Sequence, residues 1–119
     1  MKTILVADDE VTIRTMIKDW LESFDFNVIE AEDGQFAWDL WNNNHCDLLV
    51  TDINMPRMNG IELLQMIKAK NKDFPVIVIT GVSVEQAKLQ SRDYGAEAYL
   101  IKPFRMKDLH EKIKSLLEK

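Results

Sequence analysis

The chain has one cysteine, Cys46, in 119 residues. A single thiol cannot build a disulfide framework, which suits a reducing compartment. Cys46 leads into the apolar run Asp47-Leu-Leu-Val-Thr51 and reads as a small buried hydrophobe rather than a nucleophile. No apolar run approaches bilayer-spanning length, and no basic segment followed by an apolar core opens the chain, so no signal peptide is expected. The expectation is a soluble, cytoplasmic protein that binds no membrane. Basic charge is also scarce. Fifteen Lys and Arg face twenty Asp and Glu, a formal charge of −5, which argues against a dedicated nucleic-acid binder. Of the two histidines, His45 sits in the polar turn Asn42-Asn-Asn-His45 and His110 beside an apolar helical stripe. Both read as surface or flanking residues rather than as metal or phosphorelay groups. Internal repeats, linkers and low-complexity stretches are missing as well.

What is present is one domain's worth of chain. At 46% hydrophobic it can form a core without disulfide or metal staples. The charge is uneven. Residues 1–60 carry 4 basic and 12 acidic side chains, and residues 61–119 carry 11 and 8. The basic half reads mainly as solvated helix faces, with partner docking as the second reading.

Five short segments rich in Val, Ile and Leu recur: Thr3–Ala7, Asn27–Ala31, Asp47–Thr51, Pro75–Thr80 and Ala98–Ile101. Three barely alternate, as expected of strands covered on both faces. Between them the period becomes helical. Ile13, Met16, Ile17, Trp20, Leu21 and Phe24 form one stripe, and Met106, Leu109, Ile113, Leu116 and Leu117 another. Ala37, Leu40 and Trp41 mark a shorter helix. Ile61, Leu64 and Ile67 mark a third, opened by Asn59 with Glu62 three residues on, the pattern of a capping box. Ser83 and Gln86 repeat that pattern and open a weakly amphipathic helix that ends near Gly95, a candidate left-handed cap. The three tryptophans fall on helices and fit core packing or partial exposure better than a cofactor box. Strand and helix thus alternate five times, which predicts an α/β fold: a doubly wound, five-stranded parallel sheet with five helices in three layers.

The ends of the strands carry the chemistry. The first strand is followed by Asp8-Asp9-Glu10, the third runs into Asp52, the fourth ends in Thr80-Gly81, and the fifth in Lys102-Pro103. Right-handed crossovers put these ends on one edge of the sheet, where open α/β sheets bind ligands. If the first and third strands are neighbours, Asp8, Asp9 and Asp52 converge. At about 5 Å and an effective dielectric near 20, each like-charge pair costs roughly 3 kcal/mol. A proton or a cation must relieve it. Mg²⁺ fits, with Mn²⁺ as the alternative ion, because it takes one or two carboxylates and keeps waters for the rest. No His or Cys accompanies them, which argues against zinc. A carboxylate beside a metal, a hydroxyl and a fixed ammonium is a phosphoryl-acceptor arrangement. Asp52 would attack phosphorus, and Lys102, Thr80 and the metal would hold the phosphoryl oxygens.

These residues closely resemble the receiver domains of bacterial two-component response regulators. The likeness covers essentially the whole chain, read as one receiver domain over 1–119. It includes Leu5-Val-Ala-Asp-Asp-Glu10, Asp52-Ile-Asn-Met-Pro-Arg-Met-Asn-Gly60, Val78-Ile-Thr-Gly81 and Tyr99-Leu-Ile-Lys-Pro-Phe104. The resemblance implies the flavodoxin-like strand order 2-1-3-4-5. It makes Asp52 the phosphoryl acceptor, Asp9, Asp52 and the Asn54 carbonyl direct Mg²⁺ ligands, and Asp8 a ligand mainly through water. Thr80 and Lys102 match the family's hydroxyl and lysine positions, and Lys102-Pro103 a bond usually cis.

The implied phosphodonor is a phosphohistidine on a sensor histidine kinase or phosphotransfer protein. The implied output is an attached domain, a downstream protein or a homodimer, engaged through the fourth helix (opened by Ser83), the fifth strand and the fifth helix, with Tyr99 turning inward. Val82 offers no group to orient a hydrolytic water. The chain stops where the fifth helix should stop, so either a stand-alone regulator or a receiver excised from a longer protein is expected. Two other readings compete. A Mg²⁺-dependent phosphatase with an aspartyl nucleophile wants a second Asp two residues after the first, where this chain has Glu10. A phosphorylation-independent interaction module would not need an intact acidic site.

Overall fold

Each of the five apolar segments becomes a strand in the computed structural model, which describes residues 1–81 and 95–118. The strands are β1 (Thr3–Ala7), β2 (Asn27–Ala31), β3 (Leu48–Asp52), β4 (Val76–Thr80) and β5 (Ala98–Ile101). The helices are α1 (Val11–Glu22), α2 (Gly34–Asn43), α3 (Gly60–Lys70) and α4 (Met106–Leu117), the last being the fifth helix of the sequence reading. The helix expected from Ser83 and Gln86, and Val82 before it, lie outside the described residues. Gly95, where that helix was expected to end, has a left-handed backbone (φ 89°).

All pairings are parallel and the order is β2-β1-β3-β4-β5. This is the flavodoxin-like doubly wound arrangement. β3 and β4 are buried along their whole length, and β2, at an edge, is half-exposed. The period of two along each strand divides the core. Leu5, Ala7, Leu49, Val76 and Val78 face α2 and α3, where they meet Ala37, Leu63, Leu64 and Ile67. Ile4, Val6, Leu48, Val50, Ile77 and Ile79 face α1 and α4, where they meet Ile17, Leu21, Leu109 and Ile113. Cys46 is buried in the first of these cores.

Helix starts follow local chemistry. Asn59 accepts from the Glu62 amide (2.9 Å) while Glu62 accepts from the Asn59 amide (3.2 Å), the capping box expected at α3. Asp33 caps α2 by accepting from the Phe36 amide (2.7 Å). The stripe on α1 is wider than the face that sinks into the sheet. Ile17 and Leu21 are fully buried, but Met16 is 52% and Phe24 48% exposed. The outer members lie along the flank shared with α4, where Phe24 meets the His110 ring at 4.2 Å between centroids. No helix among the described residues is long and apolar enough to cross a membrane.

Candidate functional site

The sheet order brings the chemistry together. β1 and β3 are neighbours, with Ala7 opposite Thr51, so Asp8 and Asp52 emerge side by side. Asp52 pairs with Ile79 and Thr80 with Ile101, which steps the edge across to β5. The Lys102 amide then donates to the Thr80 carbonyl oxygen (2.7 Å). The following Lys102-Pro103 bond is cis.

Lys102 is the hub. Its Nζ lies 3.1 Å from Asp52 Oδ2, 2.8 Å from Glu10 Oε1 and 3.2 Å from Asp8 Oδ2. Burial works to lower its pKa, but the hydrogen bonds to Glu10 and Asp52 and the charges of Asp52 and Asp8 outweigh burial and hold it well above the ordinary lysine range. Asp8 is fully buried. Desolvation raises its pKa and Asp52 adds repulsion, against the opposing pull of the Glu10 amide and Lys102. One Asp8 oxygen accepts from the Glu10 amide (2.9 Å). The other, Oδ2, is buried without a hydrogen bond despite the nearby ammonium. Asp52 Oδ1 accepts from the Ile53 amide (2.7 Å). Thr80 is fully buried at the end of β4.

One oxygen each from Asp8, Glu10 and Asp52 lies within 4.8 Å of the others. An all-oxygen acidic set holding a buried oxygen without a hydrogen bond fits a hard cation. Asp9 is exposed and outside this trio, and Asn54 is exposed just past β3. Of the residues singled out from the sequence, then, Asp8, Asp52 and Lys102 come into direct contact, and Thr80 is joined to Lys102 through the backbone.

Several contributors carried little signal in the sequence. Glu10 was visible only as a third acid in a row. Arg14 of α1 donates to the Asp8 carbonyl oxygen (2.7 Å) and pairs with Glu30 (3.2 Å). Gly60 backs Asp52, because a Cβ there would collide with the Asp52 carbonyl oxygen. Asp33 and Arg57 form an ion pair beside the site (Nη2 to Oδ2, 2.6 Å). An Asp ahead of a helix is a readable cap signal. Nothing local marks Arg57.

Fold and site together define a doubly wound α/β protein with an acidic, lysine-bridged cluster at the carboxyl edge of its sheet. A family model described as the response regulator receiver domain matches residues 4–114, and the chain belongs to this family of two-component signalling domains. It is 37% identical over 119 residues to the chemotaxis protein CheY of Pseudomonas aeruginosa, covering 98% of this chain and 96% of that one. It is 34% identical over 118 residues to the probable transcriptional regulator ycf27 of Cyanophora paradoxa, covering 99% of this chain and 49% of that protein. The chain therefore spans about half the length of some curated relatives and nearly all of others. Among solved structures, a Francisella response regulator receiver domain superposes with TM-score 0.93 at 32% identity, over 99% of this chain and 98% of that one. The response regulator TrrA of Thermotoga maritima, solved in complex with Mg(2+)-BeF, superposes with TM-score 0.89 at 37% identity, over 98% and 100%.

Proposed function

We propose that this domain, taken as residues 1–119, accepts a phosphoryl group onto Asp52 from the phosphohistidine of a sensor histidine kinase or phosphotransfer protein, in a Mg²⁺-dependent reaction in the cytoplasm. An Asp52 carboxylate oxygen attacks phosphorus, the P–N bond to the donor imidazole breaks, and an acyl phosphate forms. Lys102 offers its ammonium, and Thr80 its hydroxyl, to the phosphoryl oxygens as charge spreads over them. The Asp8, Asp9 and Asp52 carboxylates and the Asn54 carbonyl would hold the cation, with Mn²⁺ able to replace Mg²⁺. When bound, the ion neutralises carboxylate and phosphoryl charge. The chain acts on no external substrate. It promotes only its own phosphorylation and dephosphorylation and passes the state on through the surface formed by the segment that Ser83 opens, β5 and α4, to an output domain, a protein or a second copy.

The observation that carries this reading is the convergence of Asp8, Glu10 and Asp52 on one ammonium, that of Lys102. The Mg(2+)-BeF complex of the Thermotoga relative supports the same assignment. The test is labelling by acetyl phosphate with Mg²⁺. Wild type should gain one phosphoryl group by intact mass. Asp52→Asn keeps shape and hydrogen bonding but loses the nucleophilic charge, and should gain none. Labelling of Asp52→Asn at the wild-type rate would refute the assignment.

A further inference from the structure

Arg57 stands in the segment that leads away from Asp52, and its backbone is left-handed (φ 67°). That region is disfavoured for any residue with a Cβ, so an outlier there asks for a cause. Its guanidinium supplies one. Nε (3.0 Å) and Nη2 (2.6 Å) both donate to Asp33 Oδ2. The Asp33 side chain is 3% exposed and that of Arg57 66%. Asp33 Oδ1 is already used by the Phe36 amide at the start of α2. One buried carboxylate thus caps α2 and holds the segment after Asp52.

The connection continues through the backbone to the acceptor. A Cβ on Gly34, the first residue of α2, would collide with the Met58 carbonyl oxygen, so helix and segment touch main chain to main chain. The Gly60 amide donates to the Ile53 carbonyl oxygen (2.8 Å) and closes the segment on itself. The Ile53 amide donates to Asp52 Oδ1 (2.7 Å). Residues 53–59 are therefore tied to Asp52 through the Ile53 amide, closed on Ile53 by the Gly60 amide and held to α2 in the middle.

We propose that the Asp33–Arg57 pair is a positioning device for the acidic site: it locks residues 53–59 against α2 and so holds the Asp52 carboxylate, through the Ile53 N–H, in the orientation that binds the cation. This rests on the reading of Asp52 as part of a Mg²⁺ site. Outer contacts of this kind commonly govern metal affinity without touching the ion. The alternative is that the pair only stabilises α2.

Arg57→Gly separates the two. Glycine accepts the left-handed backbone freely, so the change removes the guanidinium and relieves the strain together. Two readouts are needed, the Mg²⁺ dissociation constant by calorimetry and the exchange rate of the Ile53 amide by NMR without metal. Arg57→Gly should stay folded, weaken Mg²⁺ about tenfold and speed Ile53 exchange. Arg57→Lys keeps the charge but loses the planar fork, and should fall between. Wild-type Mg²⁺ affinity and Ile53 exchange in Arg57→Gly would overturn the proposal. If Arg57→Gly unfolds, Arg57→Lys decides by the same two readouts. If wild type itself binds no Mg²⁺, the site reading fails, and Ile53 exchange still judges the positioning role.

Discussion

Lys102 Nζ and Asp52 Oδ2 meet at 3.1 Å although the residues are 50 positions apart in the chain. Asp52 ends β3 and Lys102 follows β5, with β4 between those strands. The long lysine side chain reaches back across the edge of the sheet. The same ammonium also serves Asp8 and Glu10, so its charge is shared among three carboxylates. That leaves a net negative pocket for a cation.

The roles of Asp9 and Glu10 can be separated by metal titration. Glu10 is committed to Lys102 at 2.8 Å, and its side chain is 56% exposed. Among the described residues no hydrogen bond or ion pair engages the Asp9 carboxylate, so it can turn to an ion at little cost. Asp9→Ala should weaken Mg²⁺ at least about tenfold, equivalent to about 1.4 kcal/mol. Asp8→Ala should cost less, and Glu10→Ala least. Equal losses at Asp8 and Asp9 would remove the distinction drawn from the family.

Gly60 opens α3 directly behind Asp52, and two effects compete there. Ala is the better helix former by about 1 kcal/mol. Its Cβ, however, would run into the Asp52 carbonyl oxygen, and overpacking typically costs about 1–3 kcal/mol. The obstacle is backbone in a buried strand, so the collision should win. Gly60→Ala should lower stability in urea unfolding by roughly 1–2 kcal/mol. Among the described residues a Cβ on Gly81 would meet nothing within 4 Å, so Gly81→Ala should cost less than Gly60→Ala.

Asp33 gives a pH dependence with a definite sign. The Arg57 hydrogen bonds hold its carboxyl below the ordinary carboxylate range, helped by the Phe36 amide and opposed by desolvation. A depressed folded-state value means the stabilisation is full above the unfolded value, about 3.9, and is lost as pH falls through the folded one. Asp33→Asn can still cap α2 but has no charge to titrate. Its stability should therefore fall less steeply than that of wild type below about pH 4. Identical acid-unfolding profiles would dismiss the ion pair as a source of stability.

Thr80 and Tyr99 test how the site speaks to the rest of the molecule. Thr80 is fully buried, and Tyr99, on the adjacent strand, is half-buried. Phosphorylation adds about −1.5 to −2 charge and strong acceptor oxygens. Thr80 should swing toward them and leave room for the Tyr99 ring, whose apolar body and polar hydroxyl suit two placements. Thr80→Ala should still accept phosphate but lose most of the change in dimer fraction or partner affinity that beryllofluoride induces in wild type. A wild-type response would break the Thr80–Tyr99 coupling without touching Asp52.

Much of the fold was legible because burial is written locally. A strand covered on both faces needs an unbroken apolar run, and Val76–Thr80 has one. A helix start needs its first amides satisfied, and Asn59 with Glu62 announces that four residues deep. The α1 stripe is wider than the buried face, because Met16 and Phe24 share the helical period of the core but lie on its flank. Periodicity reports a face and does not say how far that face sinks.

The sequence by itself determined the five strand and four helix segments described and the residues at each strand's carboxyl end. Those depend on propensity, capping and pattern over a few neighbours. Only the tertiary structure decided which ends became neighbours, that Glu10 rather than Asp9 joins Asp8 and Asp52, and that Arg57 reaches Asp33 across 24 positions. A charge on a loop can satisfy any opposite charge the fold brings near. Its partner is chosen when the sheet order and the loop conformations close the structure, and no short stretch of chain carries that choice.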